Sequence, residues 1–180
     1  MTAERAFEAP RGYGIRAHRP ADDAALLSVE NRAAQLFRKH GYPEIADNPF
    51  ASVAAFRAMA EGHEVLVAVT DEDQPVGYAV SGARGDFLHL RELSVDPDHG
   101  RRGVGAALVR AVIARCREQA MHGVTLTTFR TVPFNGPFYA ALGFVEQPLD
   151  QAPAQLREVF RQELPEGIDA AARMLMVHPR

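Results

Sequence analysis

Apolar positions along the chain fall into two periodicities. Leu88, Leu90, Leu93 and Val95 make an apolar run closed by Asp96-Pro97, which predicts a strand from near Phe87 that ends at a turn. Val104, Leu108, Val112 and Cys116 recur at four-residue steps and share one helical face, predicted to run to about Met121 and to stop at His122-Gly123. Upstream, Val65 to Val69 is a continuous apolar run and predicts a buried strand, with Asp71 to Gln74 as its turn and Pro75 to Ser81 as its hairpin partner. Tyr13 to Ala17 predicts a short strand. Ala25, Leu26, Val29, Ala33, Leu36 and Phe37 form the stripe of a helix started by Pro20-Ala21-Asp22, with Asp22 as N-cap or first-turn acid. His40-Gly41-Tyr42-Pro43 breaks that helix, and the stretch to Phe50 reads as loop. A second helix is predicted from Ser52 to Glu61, ended by Gly62. After the central helix come a strand (Val124 to Phe129), a helix (Pro133 to Leu142, ended by Gly143) and a strand start (Phe144 to Glu146). A short helix (Ala154 to Leu164) and a final strand (Ala172 to Val177) complete the order.

Strands grouped before and after one long helix imply a mixed α/β sheet, not a doubly wound parallel one. At 180 residues the chain is expected to hold one domain over 13–180, preceded by a flexible lead-in at 1–12 that is polar and carries Pro10 and Gly12. Net charge is −3 at pH 7, so composition does not suggest a nucleic-acid surface. Cys116 is the only cysteine, which excludes an intrachain disulfide and a cysteine-built zinc cluster. The histidines are scattered without H-x-H or H-x-x-x-H spacing, so no metal site is expected. The first residues lack the apolar core of a secretory signal, and no apolar run reaches membrane-spanning length; a cytoplasmic location is expected. The apolar final strand leaves two readings, pairing with a second subunit as a homodimer or closing the sheet.

The candidate chemistry lies between the central strand and helix. Gly100, Gly103 and Gly105 flank Arg101 and Arg102, where a helix beginning near Gly103 aims its free N–H groups and positive dipole end into the turn. Glycines admit an anion close to the backbone, so this is the build of a phosphate site. The G-x-x-G-x-G spacing is neither the dinucleotide fingerprint G-x-G-x-x-G nor a P-loop, since Ala106-Ala107 stand where Lys-Ser/Thr belongs. It resembles the acetyl-CoA turn of the GCN5-related N-acetyltransferase (GNAT) family, [QR]-x-x-G-x-[GA]. Gly103 and Gly105 match the two small positions, while Gly100 stands where the family usually has Gln or Arg; Arg101 or Arg102 is expected to take over that work. A second stretch, Thr127 to Phe144, resembles the late motif of the same family: Tyr139, Gly143 and Phe144 match Y-x-x-x-G-F, and Asn135 precedes them, closer to the Tyr than in many members.

The resemblance implies a GNAT-type fold, a mixed and mostly antiparallel central sheet flanked by helices with splayed central strands. It also implies an enzyme that moves an acetyl group from acetyl-CoA to a primary amine of a small molecule or peptide by direct attack in a ternary complex. Family members often carry a glutamate on the central strand as general base, which points to Glu92. His89 is a second candidate; by alternation Leu90, Glu92 and Ser94 share one face and His89, Arg91 and Leu93 the other. Tyr139 is the implied proton donor to the leaving thiolate. The backbone of Leu93, Ser94 and Val95 is implied to meet the pantetheine arm, an N–H near Leu93 to stabilise the oxyanion, and Arg101, Arg102, Gly103, Val104, Gly105 and Ala106 to meet the diphosphate, with Asn135 and Phe138 near the cofactor. Loop position in this fold points to Tyr42, Phe129, Arg130 and Phe134 as acceptor-binding residues, and more loosely to His40, Phe50, Arg84 and Asp86. Cys116 lies deep on the helix stripe and reads as an inert core thiol, which argues against an acyl-cysteine route.

Two other classes compete with the enzyme. A non-catalytic acyl-CoA-binding sensor or regulatory domain of the same fold is motivated by Gly100. A nucleotide-binding enzyme that reads the glycine turn differently ranks behind both. Binding of acetyl-CoA without release of CoA, or displacement by NAD or ATP and not by CoA, separates them.

Overall fold

A computed structural model of the protein describes residues 7–180. Its elements in chain order are β1 (Tyr13–Ala17), α1 (Asp23–Ala34), α2 (Pro43–Asp47), α3 (Val53–Ala60), β2 (Glu64–Thr70), β3 (Pro75–Arg84), β4 (Phe87–Val95) and α4 (Val104–Glu118). They continue with β5 (Gly123–Phe129), α5 (Gly136–Ala141), β6 (Val145–Glu146), α6 (Ala154–Gln162) and β7 (Arg173–Pro179). The strands form one seven-stranded sheet in the order β1-β2-β3-β4-β5-β7-β6. β1 with β2, β2 with β3, β5 with β7 and β6 with β7 are antiparallel, whereas β4 and β5 run parallel, with Leu88 opposite Val124 and His89 opposite Thr125. The mixed sheet expected from the order of elements is therefore the one observed, and it is mostly antiparallel, as the resemblance implied.

The chain divides into two compact units, Met1–Ser81 with Glu92–Val112, and Gly82–Arg91 with Ile113–Arg180, so that β4 and α4 each contribute to both. In the first unit Leu26 and Val29 of α1 and Phe56 of α3 pack on Val65, Val67 and Val69 of β2 and on Tyr78 and Val80 of β3. Leu66 and Ala68 on the other face of β2 are buried as well, so both faces are covered and the strand reads as continuously apolar. In the second unit Leu156 and Phe160 of α6 pack with Ala152 and with Leu175 of β7, and Phe87 packs against them. β7 pairs with β5 along its whole length and with β6 at Val177 and Met176, so it closes the sheet, the second of the two readings of the final strand.

Local signals set most boundaries. Ser52 caps α3 by accepting from the Ala55 N–H at 3.2 Å. Asp22 accepts from the Arg19 N–H at 2.8 Å and closes a 3₁₀ turn that leads into α1. Several expectations differ. α1 ends at Ala34, and Gln35–His40 continues as a 3₁₀ helix, so Leu36 and Phe37 leave the α-helical stripe and Leu36 is exposed. The stretch after Gly41 holds a short helix, α2, because Pro43 starts it at a position that needs no N–H donor. β3 runs three residues beyond Ser81, through Arg84, so the turn shrinks to Gly85 and Asp86. α4 ends at Glu118, three residues early, where the chain turns through Ala120 at φ 54°. Of the lead-in read over 1–12, residues 1–6 lie outside the described residues; Pro10 accepts from the Tyr13 N–H at 3.0 Å and closes a turn just before β1.

Candidate active site

In the first unit β4 presents Glu92 and Ser94 on one face, and α1 brings Glu30 to Ser94. Oε2 of Glu30 accepts from the Tyr78 hydroxyl at 2.6 Å and from the Ser94 hydroxyl at 2.5 Å. Tyr78 is fully buried on β3. Burial, with the nearby charges of Glu30 and Glu92, pushes its phenol well above the ordinary value of 10.0. Tyr78 is thus a neutral donor that holds Glu30. Oε1 of Glu92 accepts from the backbone N–H of Leu93 at 3.2 Å, which turns the carboxylate along its own strand. The Leu93 amide, read from sequence as an oxyanion donor, is engaged by Glu92 in this state. Glu30 was not among the sequence candidates; its polarity on an otherwise ordinary helix carries no signal until Tyr78 and Ser94, 48 and 64 residues away, are seen to converge on it.

β4 runs into the glycine turn. Asp96 starts it by accepting from the Asp98 N–H at 2.9 Å. Arg101 then takes a left-handed conformation at φ 59°, costly for a side chain with a Cβ, and Gly103 follows at φ 83°. The Ala107 N–H donates to the Gly103 carbonyl at 3.0 Å. The N–H groups of Gly103, Val104, Gly105 and Ala106 therefore precede the first helical bond, as at any helix start. Arg101 and Arg102 are exposed beside them, while Val104 is buried and anchors the helix. A Cβ built at Gly103 would meet only Pro10, at 3.3 Å. Small residues, a dipole end and two exposed guanidinium groups fit the diphosphate of acetyl-CoA.

The second unit holds the late motif. Tyr139 is buried on α5, its ring edge-on to Phe138 at 5.0 Å and to Phe144 at 5.6 Å, and Phe144 continues the aromatic chain to His178 at 5.3 Å. Gly143 turns the chain at φ 92° so that the Phe144 N–H donates back to the Tyr139 carbonyl at 3.1 Å. The Y-x-x-x-G-F spacing is thus a packing unit as well as a motif. Asn135 precedes α5; its side-chain N–H donates to the Phe134 carbonyl at 3.1 Å and its side-chain oxygen is buried without a hydrogen-bond partner. Gly136 follows against the end of β5. A Cβ there would lie 2.5 Å from the Met174 methyl carbon and 2.6 Å from the Arg130 carbonyl. Gly136→Ala is expected to cost about 1–3 kcal/mol through overpacking, measured by denaturant unfolding.

The other candidates separate by environment. His89 is 1% exposed. Its Nε2–H donates to Glu163 at 3.0 Å and its Nδ1 shares a hydrogen bond with the Thr125 hydroxyl at 2.9 Å, so both ring nitrogens are engaged. Burial pushes the Glu163 carboxyl up, but hydrogen bonds from His89 and Thr127 and the charge of Arg173 hold it below the usual carboxylate range. Phe129 is buried with the Arg173 guanidinium 4.6 Å over its ring. Arg130 is exposed and pairs with Glu146 at 2.7 Å. Phe134 is half-buried on the segment before α5, and Tyr42 is half-buried just before α2. Cys116 is buried, and burial raises its thiol above the ordinary value, as expected of an inert core thiol. Among the described residues no group of His, Cys, Asp and Glu could hold a metal, and no helix is long and apolar enough to cross a membrane.

The model of the acetyltransferase (GNAT) family matches residues 30–144, from Glu30 to Phe144. Two proteins named mycothiol acetyltransferase are similar in sequence. One, from Clavibacter sepedonicus, is 51% identical over 53 residues, 29% of this chain and 17% of that protein. The other, from Clavibacter michiganensis subsp. michiganensis, is 36% identical over 104 residues, 53% of this chain and 33% of that protein. The chain thus matches a third or less of the length of these relatives. A crystal structure of a PaiA N-acetyltransferase from Thermoplasma acidophilum in complex with coenzyme A shares the fold, with a TM-score of 0.68 at 14% identity over 93% of this chain and 99% of that one. With the glycine turn before α4, the motif around Tyr139 and a family match across most of its length, the chain belongs to the GNAT acetyltransferase family.

Proposed function

We propose that residues 13–180 act as one N-acetyltransferase domain that moves the acetyl group of acetyl-CoA to a primary amine of a small molecule or peptide by direct attack in a ternary complex. The observation that carries this reading is the passage from β4 into α4, where a strand bearing Glu92 feeds a basic glycine turn at a helix N-terminus. The relatives named mycothiol acetyltransferase support a small-molecule acceptor over the segment they share.

Each role follows from the chemistry a side chain can perform. An amine near neutral pH is mostly protonated and cannot attack a thioester until it loses a proton. Glu92, directly or through water, accepts that proton. Glu30, held by Tyr78 and by Ser94 of the same strand as Glu92, adds a second carboxylate that favours a cationic acceptor. The turn from Arg101 to Ala106 holds the diphosphate, and the backbone of Leu93, Ser94 and Val95 aligns the pantetheine arm. Tyr139 returns a proton to the departing thiolate; ordinary thiol and phenol values, about 8.5 and 10, make the transfer accessible. Phe138 and Asn135 flank Tyr139 as cofactor-side contacts, and Tyr42, Phe129, Arg130 and Phe134 border the acceptor. A cytoplasmic location suits these substrates.

The experiment is a calorimetric titration of acetyl-CoA into the protein, with Gly105→Glu as control, followed by CoA release across a panel of amines. Binding abolished by Gly105→Glu, together with turnover of at least one amine, is the expected result. Binding without turnover of any amine favours the non-catalytic acyl-CoA sensor suggested by Gly100. No binding at all removes the acetyl-CoA reading.

A further inference from the structure

In the first unit α3 borders an open cleft of about 550 Å³. Ala54, Ala58 and Ala60 line it, and these small side chains leave a depression over the buried Phe56 and Val65. Its walls carry charge. Arg57 and Glu61 both line the cleft, four residues apart, the spacing that makes neighbours on a helix surface. Opposite charges at this spacing can pair, but here Nε of Arg57 goes to the buried Asp23 of α1, at 2.5 Å. Among the described residues Glu61 has no ion-pair partner.

Asp23 fixes the arginine. It is 3% exposed and divides its oxygens, Oδ1 to Nε2 of His18 at 2.6 Å and Oδ2 to Arg57. Its charge is thus answered within the wall. Because Asp23 holds Arg57 by Nε, that pair does not use the two terminal nitrogens, a planar fork that suits a carboxylate. The Arg57 side chain is 61% exposed, so the fork is open to a ligand. One turn on, Glu61 caps the C-terminus of α3, where the last helix carbonyls add negative potential. Nδ1–H of His63 donates to the Glu61 carbonyl at 2.7 Å and fixes the chain just past the cap.

A fork that seeks a carboxylate and a helix end that seeks an ammonium therefore share one cleft above an apolar floor. A simple anion would meet Glu61, and a simple cation would meet Arg57. A molecule with both charges one carbon apart and an apolar body satisfies each wall.

We propose that this cleft binds a free α-amino acid with an apolar side chain, its carboxylate on the Arg57 fork, its ammonium at Glu61 and the C-terminus of α3, and its side chain over Phe56 and Val65. The site is separate from the carboxylate of Glu30. Asp23 opens α1, and Glu30 lies seven residues further along that helix, about 10 Å by helix rise. The inference does not depend on the acetyl-CoA reading.

The test is calorimetric titration of L-leucine into the wild-type protein, beside two analogues, isocaproate without the ammonium and isoamylamine without the carboxylate. Saturable one-to-one binding of L-leucine is expected, with either analogue at least about tenfold weaker because it loses one charge-assisted contact. A loss of similar size for L-leucine is expected in Arg57→Gln and in Glu61→Gln. Arg57→Lys, which keeps the charge without the fork, should retain part of the affinity. Thermal melting of each variant controls for folding. Glu61→Gln breaks no side-chain ion pair among the described residues, so it tests the site even if Arg57→Gln unsettles the buried Asp23. Glu30→Gln should bind L-leucine as the wild type does. No saturable binding to the wild type, an analogue that binds as tightly as L-leucine, or binding left intact in Glu61→Gln overturns the proposal. Loss of binding in Glu30→Gln moves the amino acid to the acceptor wall and overturns it too.

Discussion

Glu92→Gln is expected to lower the rate of CoA release by about 10²- to 10⁴-fold in kcat, the range typical of losing a general base. The substitution nearly preserves shape, and the new amide oxygen can still accept from the Leu93 N–H that now bonds Oε1. What it removes is the ability to take a proton from the acceptor amine. Affinity for acetyl-CoA and the melting temperature should therefore stay near wild type, since the glycine turn and the Tyr78–Glu30–Ser94 cluster are untouched. Glu30→Gln provides the contrast. Glu30 accepts two hydroxyl hydrogens at one oxygen, so its replacement is expected to raise KM for a cationic amine more than it lowers kcat. Steady-state kinetics of both variants on one identified amine makes the distinction. Retention of wild-type kcat in Glu92→Gln would assign the proton to another group.

The largest effect on stability is expected from Asp22→Asn. Asp22 is 5% exposed and receives both terminal nitrogens of Arg16, at 2.8 and 2.9 Å, as well as the Arg19 N–H. Arg16 is itself only 12% exposed, so the variant leaves a guanidinium whose remaining partners are the exposed Asp73 at 2.7 Å and the Ala17 carbonyl at 3.1 Å. Breaking a buried pair by removing one partner costs about 3–5 kcal/mol. Asp73 keeps the expectation at the lower end, about 3 kcal/mol, or roughly 6–12 °C in melting temperature for a domain of this size. The pH dependence has a definite sign. The hydrogen bond from Arg16 holds the Asp22 carboxyl below its ordinary value of 3.8. Its contribution is therefore complete above the unfolded value and disappears as pH falls through the lower, folded one. Wild-type stability should drop in that acid window, and Asp22→Asn should lose that part of the slope. Identical slopes in denaturant unfolding across that window would show that the pair does not carry this share of the stability.

What could be read from sequence was whatever depends on neighbours along the chain. The strand ending at Asp96-Pro97, the glycine turn and the stripe Val104, Leu108, Val112 and Cys116 follow from periodicity and from glycine and proline chemistry, which act over a few residues. The same locality explains the misses. Pro43 reads equally well as a breaker and as the first residue of α2, and the reach of β3 to Arg84 depends on pairing that no local signal encodes. Glu92 stands out as a candidate because its strand leads directly into the turn. Glu30 was not, since its meaning comes from hydroxyls 48 and 64 residues away, brought to it when α1 packs on β3 and β4 bears Ser94 on that face. His89 is a second base candidate by its place on the same strand, on the face opposite Glu92; folding encloses it between Thr125 and Glu163, 36 and 74 residues distant, and both ring nitrogens are engaged there. Short-range sterics and burial pattern thus determined the elements and the cofactor turn. The side chains available for chemistry were decided by long-range packing, because burial and hydrogen-bond partners exist only once distant strands and helices have met.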